Sequence, residues 1–135
     1  MSGLVLKIGP GERILINGVV IENGEHRSRM TILTPDARVL RLRDAIHPEE
    51  VNTPVRRVCY IAQLVLAGET DAGDAHQQLL RAIEQLSQVF RDSDSRKRLD
   101  EASTCVAENR HYQALKALRS LLPREQRLFQ MARIQ

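Results

Sequence analysis

The side chains with the most chemical capacity in the first third of this chain are its cations: Lys7, Arg13, Arg27, Arg29, Arg38, Arg41 and Arg43. Arg27 and Arg29 are two residues apart, as are Arg41 and Arg43. In a strand that spacing sends both side chains out of one face. A guanidinium so placed can grip a phosphate through its planar fork and stack on an unpaired base. The plainer reading of the same pattern is a solvated outer face over an apolar core. A second basic site, Arg56-Arg57, directly follows Thr53-Pro54. Cations at a helix start oppose the helix dipole, so an acidic neighbour or a bound phosphate has to offset them. The candidates for contact with a polyanion are therefore Lys7, Arg13, Arg27, Arg29, Arg41, Arg43, Arg56 and Arg57.

Catalytic apparatus is not visible. The histidines, at 26, 47, 76 and 111, are scattered, with no HExxH and no pair at the spacing of helical metal ligands. There is no GxSxG, no phosphate loop and no GxGxxG, and Gly9-Pro10-Gly11 leads into a strand rather than a helix. Glu49-Glu50 read as solvated residues on the approach to a helix. Cys59 and Cys105 form no CxxC pair and read as small core residues. No metal or cofactor is expected, and the chain is not read as an enzyme.

Composition narrows the partners. At 42% hydrophobic and 27% charged residues the chain is that of a folded protein rather than a disordered one. The net charge of +3 permits contact with phosphates and is far from histone-like. All of the excess lies after residue 50. Only four aromatics occur, Tyr60, Phe90, Tyr112 and Phe129, all in helical-looking stretches. A sheet that stacks bases on aromatic rings is thereby excluded, and RNA contact would rest on arginine, backbone and shape. The N-terminal apolar run is too short for a signal peptide, and no stretch reaches the ~18 apolar residues of a membrane span. A cytoplasmic location with no membrane partner is expected.

These side chains need elements to hold them. From Leu4 to Ile46 the apolar period is two: Leu4, Leu6, Ile8; Ile14, Ile16; Val19, Ile21; Met30, Ile32; then Val39, Leu40 and Leu42. Gly9-Pro10-Gly11, Asn17-Gly18, Asn23-Gly24 and Pro35-Asp36 punctuate the runs, which predicts four or five short strands, with one of the two Asn-Gly pairs open to being a bulge. After Pro48 the period becomes helical. Thr53 reads as an N-cap with Pro54 at the first helical position and Gly68 as the stop. Further helices are predicted over 74–90, 95–108 and 110–122, the last ending before Pro123, with a short fifth after Arg124. Strands first and helices after favour an α+β fold. It comprises a small antiparallel β-sheet or barrel-like module over 1–47 and a bundle of four to five helices over 48–135, as two halves of one compact domain. Exposed strand edges in so small a sheet need cover, which makes a homo-oligomer a possible state.

The blocks "PGERILINGVVIENG", "LRLRDAI", "TPVRRVCYIAQL" and "HYQALKALRSLLPRE" together resemble the FlbT family of bacterial regulators of flagellin, from about Leu4 to Glu125. The segment 68–98 carries little of the resemblance, and the family pattern has a bulkier aromatic pair near Cys59-Tyr60. The resemblance implies a post-transcriptional regulator that associates with the 5′ untranslated leader of flagellin mRNA and controls its translation and stability. Repression with mRNA decay is the role it implies, although some members activate. It also implies coupling to a second small regulator, FlaF, and brings no enzymatic activity. A narrower similarity is to the carbon storage regulator family, in which basic residues of the first and last strands hold RNA. The matching positions are Lys7 and Arg43. Pro10-Gly11 is an extra step here, and Asp44-Ala45 replaces that family's acidic pair.

Two functions are thus expected to compete. In the first, the basic face binds a messenger leader, with a shallow salt dependence set by about two to five phosphate contacts, and Arg41 and Arg43 are removable without loss of fold. In the second, the chain has no RNA affinity and couples flagellin production to assembly by holding FlaF or flagellin, with Leu118, Leu121, Leu122 and Leu128 bordering a groove for an amphipathic helix. The alternative for those leucines is closure of the protein's own core.

Overall fold

The computed structural model describes residues 3–134. Five strands, β1 (Leu4–Ile8), β2 (Arg13–Ile16), β3 (Val19–Glu22), β4 (Ser28–Ile32) and β5 (Val39–Arg41), precede five helices. These are α1 (Pro54–Leu66), α2 (Ala72–Ser87), α3 (Ser93–Ala107), α4 (His111–Arg119) and α5 (Leu122–Ile134). The fold is α+β, as the order of periods predicts.

The strands form two antiparallel units, a ribbon β1-β4 and a sheet β3-β2-β5. Asn17 and Gly18, both at positive φ (48° and 84°), make the two-residue turn joining β2 to β3. Asn17 is fixed further by exchanging bonds with Arg38: its N–H donates to the Arg38 carbonyl at 2.9 Å and its Oδ1 accepts from the Arg38 N–H at 2.8 Å. The second Asn-Gly pair behaves differently from the hairpin that its residues predict. β3 does not pair with β4; the chain leaves the sheet at Asn23 and crosses to the ribbon. The Asn23 amide holds this crossing by donating to the carbonyls of Gly9 (2.7 Å) and His26 (2.9 Å), while its oxygen accepts from the Ser28 hydroxyl. A side chain with this many local partners competes successfully with a tight turn.

Alternation within β2 and β5 explains the layering. Ile14, Ile16 and Val39 face the ribbon and close a small core with Leu6, Ile8, Met30 and Ile32. Leu15 and Leu40 point the other way, into the helical core. The sheet is therefore the middle layer, covered by the ribbon on one side and helices on the other. Val19 and Ile21 do not share this burial as their period predicts: β3 overhangs both layers and all four of its residues are exposed.

Helices α1 to α4 pack each on the next, and α4 returns to α1. Cys59 and Cys105 are buried free thiols within this core, and burial pushes the Cys59 thiol up to about 12. Thr53 caps α1 as expected, its hydroxyl accepting from the Arg56 N–H at 3.2 Å, and Gly68 ends it at a φ of +79°. Helices α2 and α3 start two residues earlier than predicted because Asp71 and Asp92 are their caps. Pro123, expected to follow a helix end, lies in the first turn of α5, where its missing N–H is not needed. No helix of the described residues is long and apolar enough to cross a membrane.

One long-range contact closes the start of α1. The buried carboxylate of Glu125, on α5, accepts from the Val55 N–H at 2.8 Å and from the Thr53 hydroxyl. Glu125 thus caps the start of α1 and anchors α5, while forming no ion pair with Arg56 or Arg57 among the described residues. Glu125→Ala leaves a buried N–H without its acceptor and is expected to lower unfolding free energy by about 2–3 kcal/mol in urea titrations. The exposed Glu101→Ala should stay within ~0.5 kcal/mol of the parent.

Candidate nucleic-acid interface

The strand cations divide into three kinds. The first comprises Lys7, Arg27 and Arg29. Leu4, Leu6 and Ile8 face inward along β1, so Val5 and Lys7 face out, and Lys7 stands directly across from Arg29 in the ribbon register. Arg27 continues the outward parity just before β4. All three side chains are exposed, and none forms an ion pair among the described residues. Two unpaired cations opposite one another repel, an arrangement that an anion lying along the ribbon relieves.

Arg13 and Arg41 are of the second kind, already committed. Arg13 bonds Glu22 across the hairpin at 2.9 Å on the surface. Arg41 does not project outward with Arg43. Its Nε and Nη2 donate to the two carboxylate oxygens of Glu12 at 2.6 and 2.7 Å, and Nη2 also reaches the Lys7 carbonyl. The side chains are 12% and 6% exposed. The bidentate bond from Arg41, joined by the Gly9 N–H, holds the Glu12 carboxyl down at about 2 despite its burial. Arg41 is held more firmly protonated than usual by Glu12 first and then by the Tyr112 phenol, against the opposing effect of its own burial. Its role is to join β1, the 9–12 turn, β5 and α4.

Arg43 is the third kind. β5 ends at Arg41, and Leu42–Asp44 is a 3-10 turn, which breaks the period-two relation of Arg41 and Arg43. Arg43 remains 59% exposed, with Nε 3.7 Å from Glu12 Oε2. It borders a cleft of about 150 Å³ between β5 and α4, together with Asp44, Tyr112, Lys116 and Arg119. Three cations with free or half-free faces thus surround one acid. Arg119 is partly engaged, donating to the Asp44 carbonyl at 2.7 Å, while Lys116 is exposed. The cleft is well under the ~300 Å³ at which small-molecule pockets begin, so it suits a phosphate of a chain passing over it rather than an enclosed ligand.

Lys116 and Arg119 are missing from the sequence-derived set. Their signal was present: Tyr112, Lys116 and Arg119 fall at i, i+4 and i+7, one stripe of a helix. Arg41 lies between the two groups, contacting the Lys7 carbonyl on one side and lining the cleft on the other. Arg56 is elsewhere. It donates to Asn52 Oδ1 at 3.1 Å and lines a different cleft, against α5. Arg57 is exposed on α1. Among the described residues no cluster of three or more His, Cys, Asp or Glu is placed to hold a metal.

The basic ribbon and cleft carry no catalytic pair, and comparison with known proteins points to regulation. A family profile described as "Flagellar protein FlbT" matches residues 4–129. A "Probable flagellum biosynthesis repressor protein FlbT" of Mesorhizobium japonicum is 34% identical over 92% of this chain and 83% of its own length. A protein of the same name from Caulobacter sp. is 31% identical over 90% of this chain and 92% of its own. The "Flagellum biosynthesis repressor protein FlbT" of Caulobacter vibrioides is 28% identical over 90% of this chain and 86% of its own. No solved structure matches the chain significantly.

The Glu12–Arg41 pair makes acid stability readable. Glu12 ionises at about 2 in the folded chain against an ordinary 4.5, so its contribution is complete above pH 4.5 and disappears as pH falls towards 2. Arg41→Ala, which strands the buried carboxylate, is expected to cost about 3–4 kcal/mol at neutral pH. In Glu12→Gln the stability change between pH 4.5 and 2 should shrink, measured by urea unfolding at stepped pH.

Proposed function

The chain belongs to the FlbT family of flagellar proteins, and from that premise we propose that it regulates flagellin synthesis by binding the 5′ untranslated leader of flagellin mRNA. The relatives' names support a regulatory role in flagellum biosynthesis and a repressing sign. The observation that carries RNA contact is the pairing of Lys7 with Arg29, continued by Arg27, on the outer face of the ribbon, with no ion pair to a carboxylate among the described residues. Around Arg41 from this ridge, Arg43, Lys116 and Arg119 offer a second anion-binding surface. A phosphate backbone bound along both would be held by charge and by guanidinium geometry, with bases left free for recognition in an unpaired leader. Neither surface holds groups for cleaving RNA. Decay of a bound message then falls to a recruited nuclease, and control of translation follows from occupying the leader.

A second reading rests on α5. Leu118 and Leu121 are fully buried, so they close the protein's own core rather than line a groove. Leu128, Phe129 and Met131 are exposed, however, on the outward part of α5. An amphipathic helix of FlaF or flagellin could cover them, coupling flagellin production to flagellum assembly without intrinsic RNA affinity.

Binding to a labelled flagellin leader and to a scrambled RNA of equal length separates the readings. RNA regulation predicts leader-selective binding by the protein alone, with a log–log salt slope of about −1.4 to −3.5. Lys7→Ala/Arg29→Ala and Arg43→Ala/Lys116→Ala should each weaken it about tenfold or more with unchanged circular dichroism. Equal, weak binding of both RNAs, together with salt-insensitive capture of FlaF or flagellin that Phe129→Asp abolishes, would replace it with the second reading.

A further inference from the structure

We propose that β3 is the dimer seam of this protein: two copies join their β3 strands antiparallel, edge to edge, into one continuous six-stranded sheet. The proposal starts from a mismatch between pattern and environment. Val19, Val20 and Ile21 are consecutive and β-branched, the composition of a strand covered on both faces. Yet they are 60%, 57% and 39% exposed. The strand is also the end of its sheet, with only β2 beside it among the described strands. Edges of this kind are ordinarily guarded by lysine, proline or a bulge. The ribbon is guarded in this way by Lys7, Arg27 and Arg29. On β3 the only charge is Glu22, and Arg13 already pairs with it at 2.9 Å.

The occupant follows from register. The Asn23 N–H donates to the Glu12 carbonyl of the preceding segment at 2.9 Å, so by alternation Val19 and Ile21 bond inward to β2, and the backbone groups of Val20 and Glu22 point to the free edge. An antiparallel partner must set outward-pointing residue against outward-pointing residue. With a second copy related by a two-fold axis through Val20, Val20 meets Val20 and both of its backbone groups are satisfied. Val19 then stands opposite Ile21 twice, on the face shared with the ribbon, and Glu22 falls opposite Gly18, which has no side chain to oppose it. Shifting the axis to Ile21 instead sets Val20 against Glu22 and Val19 against Asn23. Shifting it to Val19 sets Ile21 against Asn17. The Val20-centred register is the one that matches apolar to apolar throughout and keeps the two carboxylates apart. The strand is thus complementary to itself, as a closed two-fold interface requires.

A short edge-to-edge seam belongs among small interfaces, so the dimer is concentration-dependent rather than obligate. None of the ridge or cleft cations lies on β3, so the proposal stands or falls separately from RNA binding.

The test is sedimentation of the full chain over a micromolar concentration series, combined with amide hydrogen exchange. A concentration-dependent dimer is expected, in which the amides of Val20 and Glu22 become protected as the dimer forms while those of Val19 and Ile21 are protected throughout. Val20→Lys sets two ammonium groups against each other at the axis. Val20→Pro removes an outward N–H without touching a bond to β2. Both should abolish the dimer and leave circular dichroism unchanged, whereas Val89→Lys, at an exposed site on another surface, should leave it intact. A chain that stays monomeric throughout the series, or a dimer in which the Val20 and Glu22 amides still exchange freely, overturns the proposal. The first of these outcomes leaves the edge to a strand of a different protein.

Discussion

Glu12 and Arg41 meet with side chains only 6% and 12% exposed, and both stay charged there. The pair tolerates this because each charge has several partners: Glu12 takes two bonds from Arg41 and one from the Gly9 N–H, and Arg41 adds the Lys7 carbonyl. Removing any member leaves a buried charge short of a partner, a far larger penalty than losing a surface ion pair. The ribbon, the turn that follows it, the last strand and α4 are therefore held in one relation. That relation sets Lys7 and Arg29 outward on one side of Arg41 and opens the Arg43–Lys116–Arg119 cleft on the other.

The division of labour among the arginines follows from the same constraint. In a chain of net charge +3, binding an anion depends on which cations are uncommitted rather than on how many there are. Carboxylates occupy Arg13 and Arg41, and Glu12 and Asp44 take part of Arg43 and Arg119. Lys7, Arg27 and Arg29, where β1 and β4 pair, and Lys116 on α4 form no ion pair among the described residues, and neither do Arg57, Arg81, Arg96 and Lys97 on the other helices. At the other end of the molecule Glu125 plays a corresponding part, since its one carboxylate caps α1 and anchors α5. Both acids use a single buried group to join segments distant in sequence.

Legibility in the sequence tracks the distance over which the deciding interaction acts. The Asn17-Gly18 turn, the Thr53-Pro54 cap and the Gly68 stop are local, and their residues declare them. Helix limits shift by two to three residues, at the starts where Asp71 and Asp92 take the caps and at the ends of α2 and α4. Asn23-Gly24 misleads because the amide of Asn23 serves the carbonyls of Ile8 and Gly9 at the end of β1, which no local rule anticipates. Arg41 and Arg43 look alike two residues apart, and what separates them is Glu12, brought close only by the fold. Lys116 and Arg119 were legible as a helical stripe with Tyr112, but nothing local joins that stripe to the strand cations. The exposed state of Val19 and Ile21 was likewise hidden, since alternation gives a strand its faces but not what covers them.

On this reading the free cations of the ribbon and the partly engaged cations of the cleft, on either side of Arg41, form one RNA-binding surface. The most direct measurement is an NMR map of backbone and arginine side-chain resonances on adding a flagellin leader RNA. Shifts are expected at Lys7, Arg27, Arg29, Arg43, Lys116 and Arg119, with the Arg41 guanidinium still bonded to Glu12. Shifts confined to α2 and α3, or to Arg56, Arg57 and α5 alone, would contradict it.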